Sequence, residues 1–219
     1  TRLPAVNTPG SVISLDAPTS RLVTADYTKI TYPASDYASC AAVTGGDSRY
    51  VTSKETCTTV ARTFKLVDAD GTKLTVRSTL APPSQRMGGL LATDDRVYVT
   101  HYPKYDYTSV RTSDGMSMPR VVDEGGMWTL GGVRDGQLRI VNELVGDSKW
   151  PLAARGTTIA LYTESGLALY DTTAEASPPR LVGEAKLRGW GYTSHVLLED
   201  DRAVCAIGEH GIQAVALTR

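Results

Sequence analysis

Apolar and polar positions alternate along this chain in short runs, separated by clusters of Gly, Pro, Asp and Ser, which is the period-2 signature of β-strands. No stretch sustains apolar residues at i, i+3, i+4 and i+7, so almost no helix is expected. One hairpin phrase recurs. Leu90-Leu91-Ala92-Thr93-Asp94-Asp95-Arg96-Val97-Tyr98-Val99-Thr100 and Val196-Leu197-Leu198-Glu199-Asp200-Asp201-Arg202-Ala203-Val204-Cys205-Ala206 are near-copies. Each reads as an apolar strand, an acidic turn, an arginine and a second apolar strand. Ile13-Ser14-Leu15-Asp16 leading to Arg21-Leu22-Val23-Thr24 is a looser copy, and Leu152 to Tyr162 is a fourth. Repetition at this spacing points to an array of units, none of which can bury its own apolar surface alone.

Each phrase is followed by a second hairpin, giving units of four strands. The first combines Ser11–Asp16 and Arg21–Tyr27 with Thr58–Val67 and Lys73–Leu80. Asp68-Ala69-Asp70-Gly71 joins the last two, because Asp-Gly adopts positive φ cheaply. The second runs Gly88–Thr93, Arg96–His101, Met127–Val133 and Gln137–Leu144. The third holds Leu152–Ala154, Thr157–Thr163, Gly166–Asp171 and Arg180–Leu187. The fourth, Thr193–Glu199, Arg202–Gly208 and Gly211–Leu217, is one strand short, while Arg2–Val6 is a strand without a unit. The predicted fold is an all-β propeller in one domain, with blades over roughly 10–80, 86–145, 148–187 and 192–217 plus the N-terminal strand 2–6. It closes on itself through that strand or forms part of a larger ring.

Two insertions interrupt the regularity, Thr28 to Thr56 and Tyr102 to Gly126. Both connect the second and third strands of their units, so both should emerge on one face. Long loops without strands of their own are functional or disordered. The second insertion carries Tyr102, Tyr105, Tyr107, Met116 and Met118. Together with Trp190 and Tyr192 these are the candidate binding residues, since Tyr offers contact area and a hydrogen bond at low entropy cost.

Composition narrows the function classes. The 23 basic and 24 acidic residues leave a formal net charge of −1, and they are dispersed. That pattern supplies neither a nucleic-acid-binding stripe nor a basic membrane-surface helix, and no apolar run approaches a membrane span. Starting at Thr1 without an initiator Met or a charged-then-apolar leader, the chain reads as a processed product or part of a longer protein. Cys40 and Cys57 flank a Gly-, Ser- and Thr-rich stretch, and the simplest account pairs them as a disulfide, worth on the order of 3 kcal/mol if unstrained. Cys205, inside an apolar strand, is left as a small buried hydrophobe. Such a bridge implies an oxidising compartment and an exported protein; the alternative is three reduced core cysteines.

Gly166-Leu167-Ala168-Leu169-Tyr170-Asp171, followed by Pro178-Pro179-Arg180-Leu181-Val182-Gly183, resembles the LVIVD-type repeat of bacterial exported β-propeller-domain proteins. Gly211 to Leu217 repeats the first half of that wording without the Asp. The resemblance covers Trp150–Leu217 and fades over Thr1–Leu80. It implies a propeller fold and an extracellular, cell-surface or periplasmic location, and it transfers no catalytic residue.

Candidate chemistry is sparse. His101, His195 and His210 stand at strand ends or turns, without the His-x-His or Cys-x-x-Cys pairing a zinc or copper site favours. They read as histidines satisfied by backbone groups. Asp68-Ala69-Asp70-Gly71-Thr72 opens like a calcium loop but lacks the later ligands, so a hairpin turn is the plainer reading. Asp94-Asp95 and Asp200-Asp201 read as solvated turns pairing with Arg96 and Arg202. Gly115-Met116-Ser117-Met118 lacks the second glycine of a nucleophile elbow. Trp128, Trp150 and Trp190 read as packing between blades, and Gly189-Trp190-Gly191-Tyr192 as a structural corner. No metal, cofactor or catalytic residue is assigned.

Three functions follow. The first is a non-catalytic exported module binding a protein or glycan through the loop-bearing face. The second is a component of a larger surface assembly, completed by strand pairing with another propeller-containing chain or with itself. The third is a hydrolase or lyase with a central site, which needs titratable groups in hydrogen-bond contact at that centre.

Overall fold

The computed structural model describes residues 6–36, 56–106, 120–146, 150–163, 166–187, 195–208 and 211–217. Among them the chain is all-β. Short 3₁₀ segments occur among the described residues at Ala17–Thr19 and Ala34–Asp36. Sheet I is a meander of Ser11–Asp16 (β1), Arg21–Pro33 (β2), Thr56–Asp70 (β3) and Lys73–Leu80 (β4). Then come Met87–Ala92 (β5), Val97–His101 (β6), a two-stranded ribbon of Lys104–Asp106 (β7) and Arg120–Asp123 (β8), Gly126–Gly131 (β9) and Arg139–Val145 (β10). Sheet II takes four of these in the order β10-β9-β6-β5, leaving the ribbon outside. Sheet III is Trp150–Arg155 (β11), Thr158–Thr163 (β12), Gly166–Asp171 (β13) and Arg180–Ala185 (β14). Sheet IV has three strands, His195–Leu198 (β15), Arg202–Ala206 (β16) and Ile212–Ala216 (β17).

The sheets stack in chain order because both of their faces are apolar. In β6, Val97 and Val99 point to one side and Tyr98 to the other, and all three are fully buried. Val97 and Val99 join Trp128 and Leu130 against Val23, Phe64 and Leu66 of sheet I. On the opposite side Tyr98 and Met127 meet Ile159 and Leu161 of sheet III. Sheet III then presents Ala160, Leu167, Leu169 and Val182 to Leu198, Ala203, Cys205 and Val215 of sheet IV. The first strands stand side by side as β1, β5, β11 and β15.

Register makes the repeat explicit, because cross-strand partners share a face. Ala92, Val97, Leu130 and Ile140 form one row across sheet II, packed toward sheet I. Ala154, Ile159 and Tyr170 form the equivalent row in sheet III, packed toward sheet II. In sheet IV the row is Leu198, Ala203 and Val215, packed toward sheet III. Each sheet thus has a backward face and a forward face, set by the parity of its positions.

Arginines clamp the turn end of the stack. Arg21 Nη1 donates to the carbonyls of Val133 and Arg134 at 2.8 and 2.5 Å, joining sheet I to sheet II. Arg139 Nη2 reaches Glu175 Oε2 at 3.0 Å, and Arg155 Nη1 reaches the Leu198 carbonyl at 3.2 Å, repeating the pattern forward. Arg96 does not pair with its own turn as the sequence suggested. It is buried, with Nη2 3.8 Å from Glu175 of the following unit, since the row it sits on is covered by neighbouring sheets.

The insertions also differ from expectation. Tyr27-Thr28-Lys29-Ile30-Thr31-Tyr32 is β-branched and aromatic, and it continues β2 to Pro33, paired with Thr56–Arg62. The second insertion contains the β7–β8 ribbon. The Asp68–Gly71 motif is a hairpin turn, with Asp70 opposite Lys73 and Gly71 at φ +57°. No helix among the described residues is long and apolar enough to cross a membrane.

Phe64, 1 % exposed between sheets I and II, should cost about 3–5 kcal/mol of unfolding free energy when truncated to Ala. Tyr27→Ala, at a position 69 % exposed, should stay within about 0.5 kcal/mol in the same urea titration. Equal losses at both positions would contradict face-to-face stacking.

Candidate functional site

The two hairpins that outgrow their sheets leave from the same end of the stack. β1 pairs with β2 only as far as Ser11 opposite Ala25, and β4 pairs with β3 only as far as Leu80 opposite Phe64. Beyond those points β2 and β3 continue alone as a first arm, tied at its root by Lys65 Nζ to Asp26 Oδ2 at 2.6 Å. That ion pair holds the Asp26 carboxyl below its ordinary range, helped by the Tyr27 amide. The β7–β8 ribbon is the second arm, continuing from β6 and returning to β9. Gly125, at φ +69°, allows the return: a Cβ there would lie 2.7 Å from both the His101 carbonyl and the Pro103 nitrogen.

A polar chain joins the two roots. The Arg62 amide of β3 donates to Gln85 Oε1 at 2.6 Å, and Arg62 Nη1 donates to the Gln85 carbonyl at 3.1 Å. The next residue, Arg86, is almost wholly buried and pairs through Nη2 with Asp123 of β8. Its Nε donates to Ser84 Oγ at 3.2 Å. Desolvation works to raise the Asp123 carboxyl, but the Gly125 amide, which donates to its Oδ1 at 2.9 Å, and the Arg86 guanidinium together hold it low.

Beside this chain the end of β6 places His101 on the backward face of sheet II, stacked on Trp128 with ring centroids 4.0 Å apart and planes 8° from parallel. Trp128 Nε1 donates to Glu143 Oε1 at 3.0 Å, and His101 Nε2 lies 3.4 Å from that same oxygen without hydrogen-bond alignment. Burial pushes the imidazole's protonation down, against the pull of the Glu143 and Asp123 carboxylates and with the push of Arg86. Neutral imidazole is therefore favoured in the folded chain. The sequence suggested a histidine satisfied by backbone groups; instead His101 is held by ring stacking beside a carboxylate, and neither of its buried ring nitrogens has a hydrogen-bond partner among the described residues.

The exposed large apolar side chains on the arms, among the described residues, are Tyr27 on the first and Tyr105, Val121 and Val122 on the second. Of the residues singled out in the sequence, Tyr105 belongs to this surface, opposite Val121 in the ribbon. Tyr102 is half-buried; its amide donates to the Arg86 carbonyl at 2.7 Å and its ring lies over Gly88, so it packs the second arm's root. Tyr107, Met116, Met118, Trp190 and Tyr192 lie outside the described residues, as do Cys40, His210 and the side chain of Cys57. Cys205 is a free, buried thiol whose pKa is raised by desolvation. His195 is exposed at the start of β15. Tyr27, Arg86, Asp123 and Glu143 were not signalled. Tyr27 sat at a predicted strand end, and the Arg86–Asp123 pair spans 37 positions with no local motif.

Chemically the cluster is a rigid base for the arms. Among the described residues no hydroxyl or thiol is hydrogen-bonded to His101, and no group of three or more His, Cys, Asp and Glu side chains could hold a metal ion. A separate cleft of about 360 Å³ opens at the turn end of sheets III and IV. Its Asp171 carboxylate is already engaged by the Thr173 amide and hydroxyl at 2.9 and 2.6 Å, leaving little for a ligand. Searches against protein-family models, characterised proteins and solved structures find no match to the chain.

The His101 shift sets a pH dependence. Between its lowered folded value and the ordinary value of about 6.5, the unfolded chain binds the extra proton. Stability is therefore fully present above about pH 6.5 and falls as the pH drops through that window. Asp26, Asp123 and Asp171, all lowered, keep their contribution through this window and lose it only as the pH falls through and below the carboxylate range. Urea midpoints measured from pH 7.5 to 5.5 should decline in the native chain, and His101→Phe, which keeps an aromatic on Trp128, should flatten the decline. An unchanged slope in that variant would remove His101 as its source.

Proposed function

We propose that this chain is a non-catalytic, β-propeller-type recognition module that binds a protein or glycan partner through the end bearing the two arms. The observation that carries the reading is the convergence of two projecting hairpins, one with Tyr27 and one with Tyr105, Val121 and Val122, on a shared polar base. Exposed aromatic and β-branched side chains beside fixed charges are the usual makings of a recognition surface. The base is fixed by paired charges, so binding would order little of the root.

The propeller reading is supported by four meander-like sheets stacked through alternate faces, with first strands adjacent. The likeness to LVIVD-type repeats supports export and a cell-surface setting. A hydrolase reading would start from His101 and Glu143. That imidazole is 2 % exposed beneath a tryptophan contact, and among the described residues no hydroxyl or thiol is hydrogen-bonded to it, which favours a positioning part over a reacting one.

A photo-crosslinking amino acid installed at Tyr27 or Tyr105 should capture the partner, and the same group at Asp135, at the opposite end, should not. The double variant Tyr27→Ser with Tyr105→Ser should weaken the captured partner's binding at least about tenfold, about 1.4 kcal/mol. Capture from Asp135 alone, or undiminished binding by the double variant, would overturn the assignment.

A further inference from the structure

The first arm is a ribbon of two strands, so each strand has an outer edge. Hydrogen bonds at its root show which main-chain groups point outward. The Tyr27 amide donates to Asp26 Oδ1 at 2.8 Å. Its register partner Arg62 donates its amide to Gln85 Oε1 at 2.6 Å, and the Arg62 carbonyl accepts from Gln85 Nε2 at 3.4 Å. Tyr27 and Arg62 are therefore a pair whose main-chain groups face away from each other. The far end of the same ladder has the same phase: the Ala69 amide donates to the Ser20 carbonyl at 2.9 Å, so the even positions of β2 bond β3 and the odd positions face outward. Lys29 opposite Val60 and Thr31 opposite Thr58 are the next outward pairs toward the tip.

The two edges are not equivalent. On β3, the Gln85 carboxamide stands where β4 would continue after Leu80, and beyond it Val60 is half-buried and Thr58 buried. On β2, Tyr27, Lys29 and Thr31 are all exposed. Among the described residues, no main chain pairs with the outward amides and carbonyls of Lys29 and Thr31. This open stretch is bounded on both sides. Asp26 occupies the Tyr27 amide at the root, and Pro33, the next outward position, has no N–H to offer.

We infer that the β2 edge takes an extended segment of a partner protein as an added β-strand, with an acidic side chain opposite Lys29. The added strand, which rests on the recognition reading above, narrows the partner to a polypeptide. Lys29 and Thr31 present their N–H and C=O groups at a repeat of about 6.8 Å, two residues of a strand. An extended main chain matches that repeat donor for acceptor, and a sugar does not. The new strand lies on the side of β2 where β1 stops pairing, at Ser11 opposite Ala25, and it prolongs that ladder. Tyr27, Lys29 and Thr31 project from one face of the ribbon, so the residue opposite Lys29 sits beside its ammonium. A carboxylate is favoured there, and Tyr27 adds contact area. Proline and charge along the edge limit indiscriminate pairing, which keeps the open stretch short and selective.

A displayed library of random linear peptides, with a glycan array in parallel, tests the native chain. The library should yield binders enriched in Asp or Glu, and the Lys29→Glu chain should select Lys or Arg instead. When a selected peptide is added, amide exchange followed by NMR should slow at Lys29 and Thr31. It should not change at Thr28 and Ile30, whose amides already face β3. Lys29→Pro and Thr31→Pro each remove one outward N–H and no β2–β3 bond, and each should weaken the peptide about tenfold. Thr31→Val, which keeps that N–H, should bind as the native chain does. A peptide captured by a crosslinker at Tyr27 that leaves both amides unprotected would overturn the added strand while the arm surface stands as the recognition site. Peptides that protect both amides yet bind the Tyr27→Ser, Tyr105→Ser chain at full strength would uphold the strand and remove the tyrosine surface. Ligands found only on the glycan array, no binder from either source, or native pairs that the proline variants turn into single chains would each overturn the inference.

Discussion

The structure depends on strands that are apolar on both sides. A strand with one buried face alternates strictly, and its sheet can present polar residues to water. Val97-Tyr98-Val99 and Ile159-Ala160-Leu161 break that rule, with every residue in both triplets buried. Fully burying one such side chain gains roughly 1.5–3 kcal/mol, and no sheet can cover its own two faces. Stacking follows from this constraint alone. The side to which each triplet member points is then fixed by parity, so every internal interface repeats the geometry of the last.

Stacking in turn decides where polar chemistry can sit. The middle of each interface is filled with aliphatic and aromatic side chains, so charges are driven to the two ends. At the turn end arginines reach carbonyls and carboxylates of the next unit and hold the sheets in order. At the other end the apolar row of sheet II runs out at His101, and the polar chain through Gln85, Arg86 and Asp123 takes over. The two ends differ in kind. Clamps at the turn end span consecutive sheets, whereas the polar base at the other end supports hairpins that leave the stack altogether.

Much of the fold was legible because its determinants are local. The repeated phrase ending in Asp-Asp-Arg or Gly-Thr-Thr places a tight turn between two apolar runs, and those hairpins form as β5–β6, β11–β12 and β15–β16. The site was less legible. Strand length in the arms depends on pairing between Tyr27–Tyr32 and Thr56–Arg62, partners separated by a long insertion that turn signals alone cannot bridge. His101 was visible as a strand-end histidine, but its role depends on Trp128 across β9 and Glu143 across β10, a placement fixed by sheet order. Arg96 misled for a related reason. An arginine beside two aspartates reads as a surface pair, yet its row lies between two sheets.

Surfaces of two different characters are left over from this arrangement, and they answer to different physics. The arms mix tyrosine with valine, lysine and aspartate, combining contact area with hydrogen bonding and fixed charge. The outward rows of sheets I and IV are aliphatic, built from Leu15, Val76, Leu197 and Ile212, with no aromatic or buried charge among them. Repeat arrays that end in solvent generally carry a polar outer face on the terminal unit, since a bare row invites association. Here the outward rows of the described sheets keep the composition of internal ones, and Arg202 folds back where its equivalents reach forward.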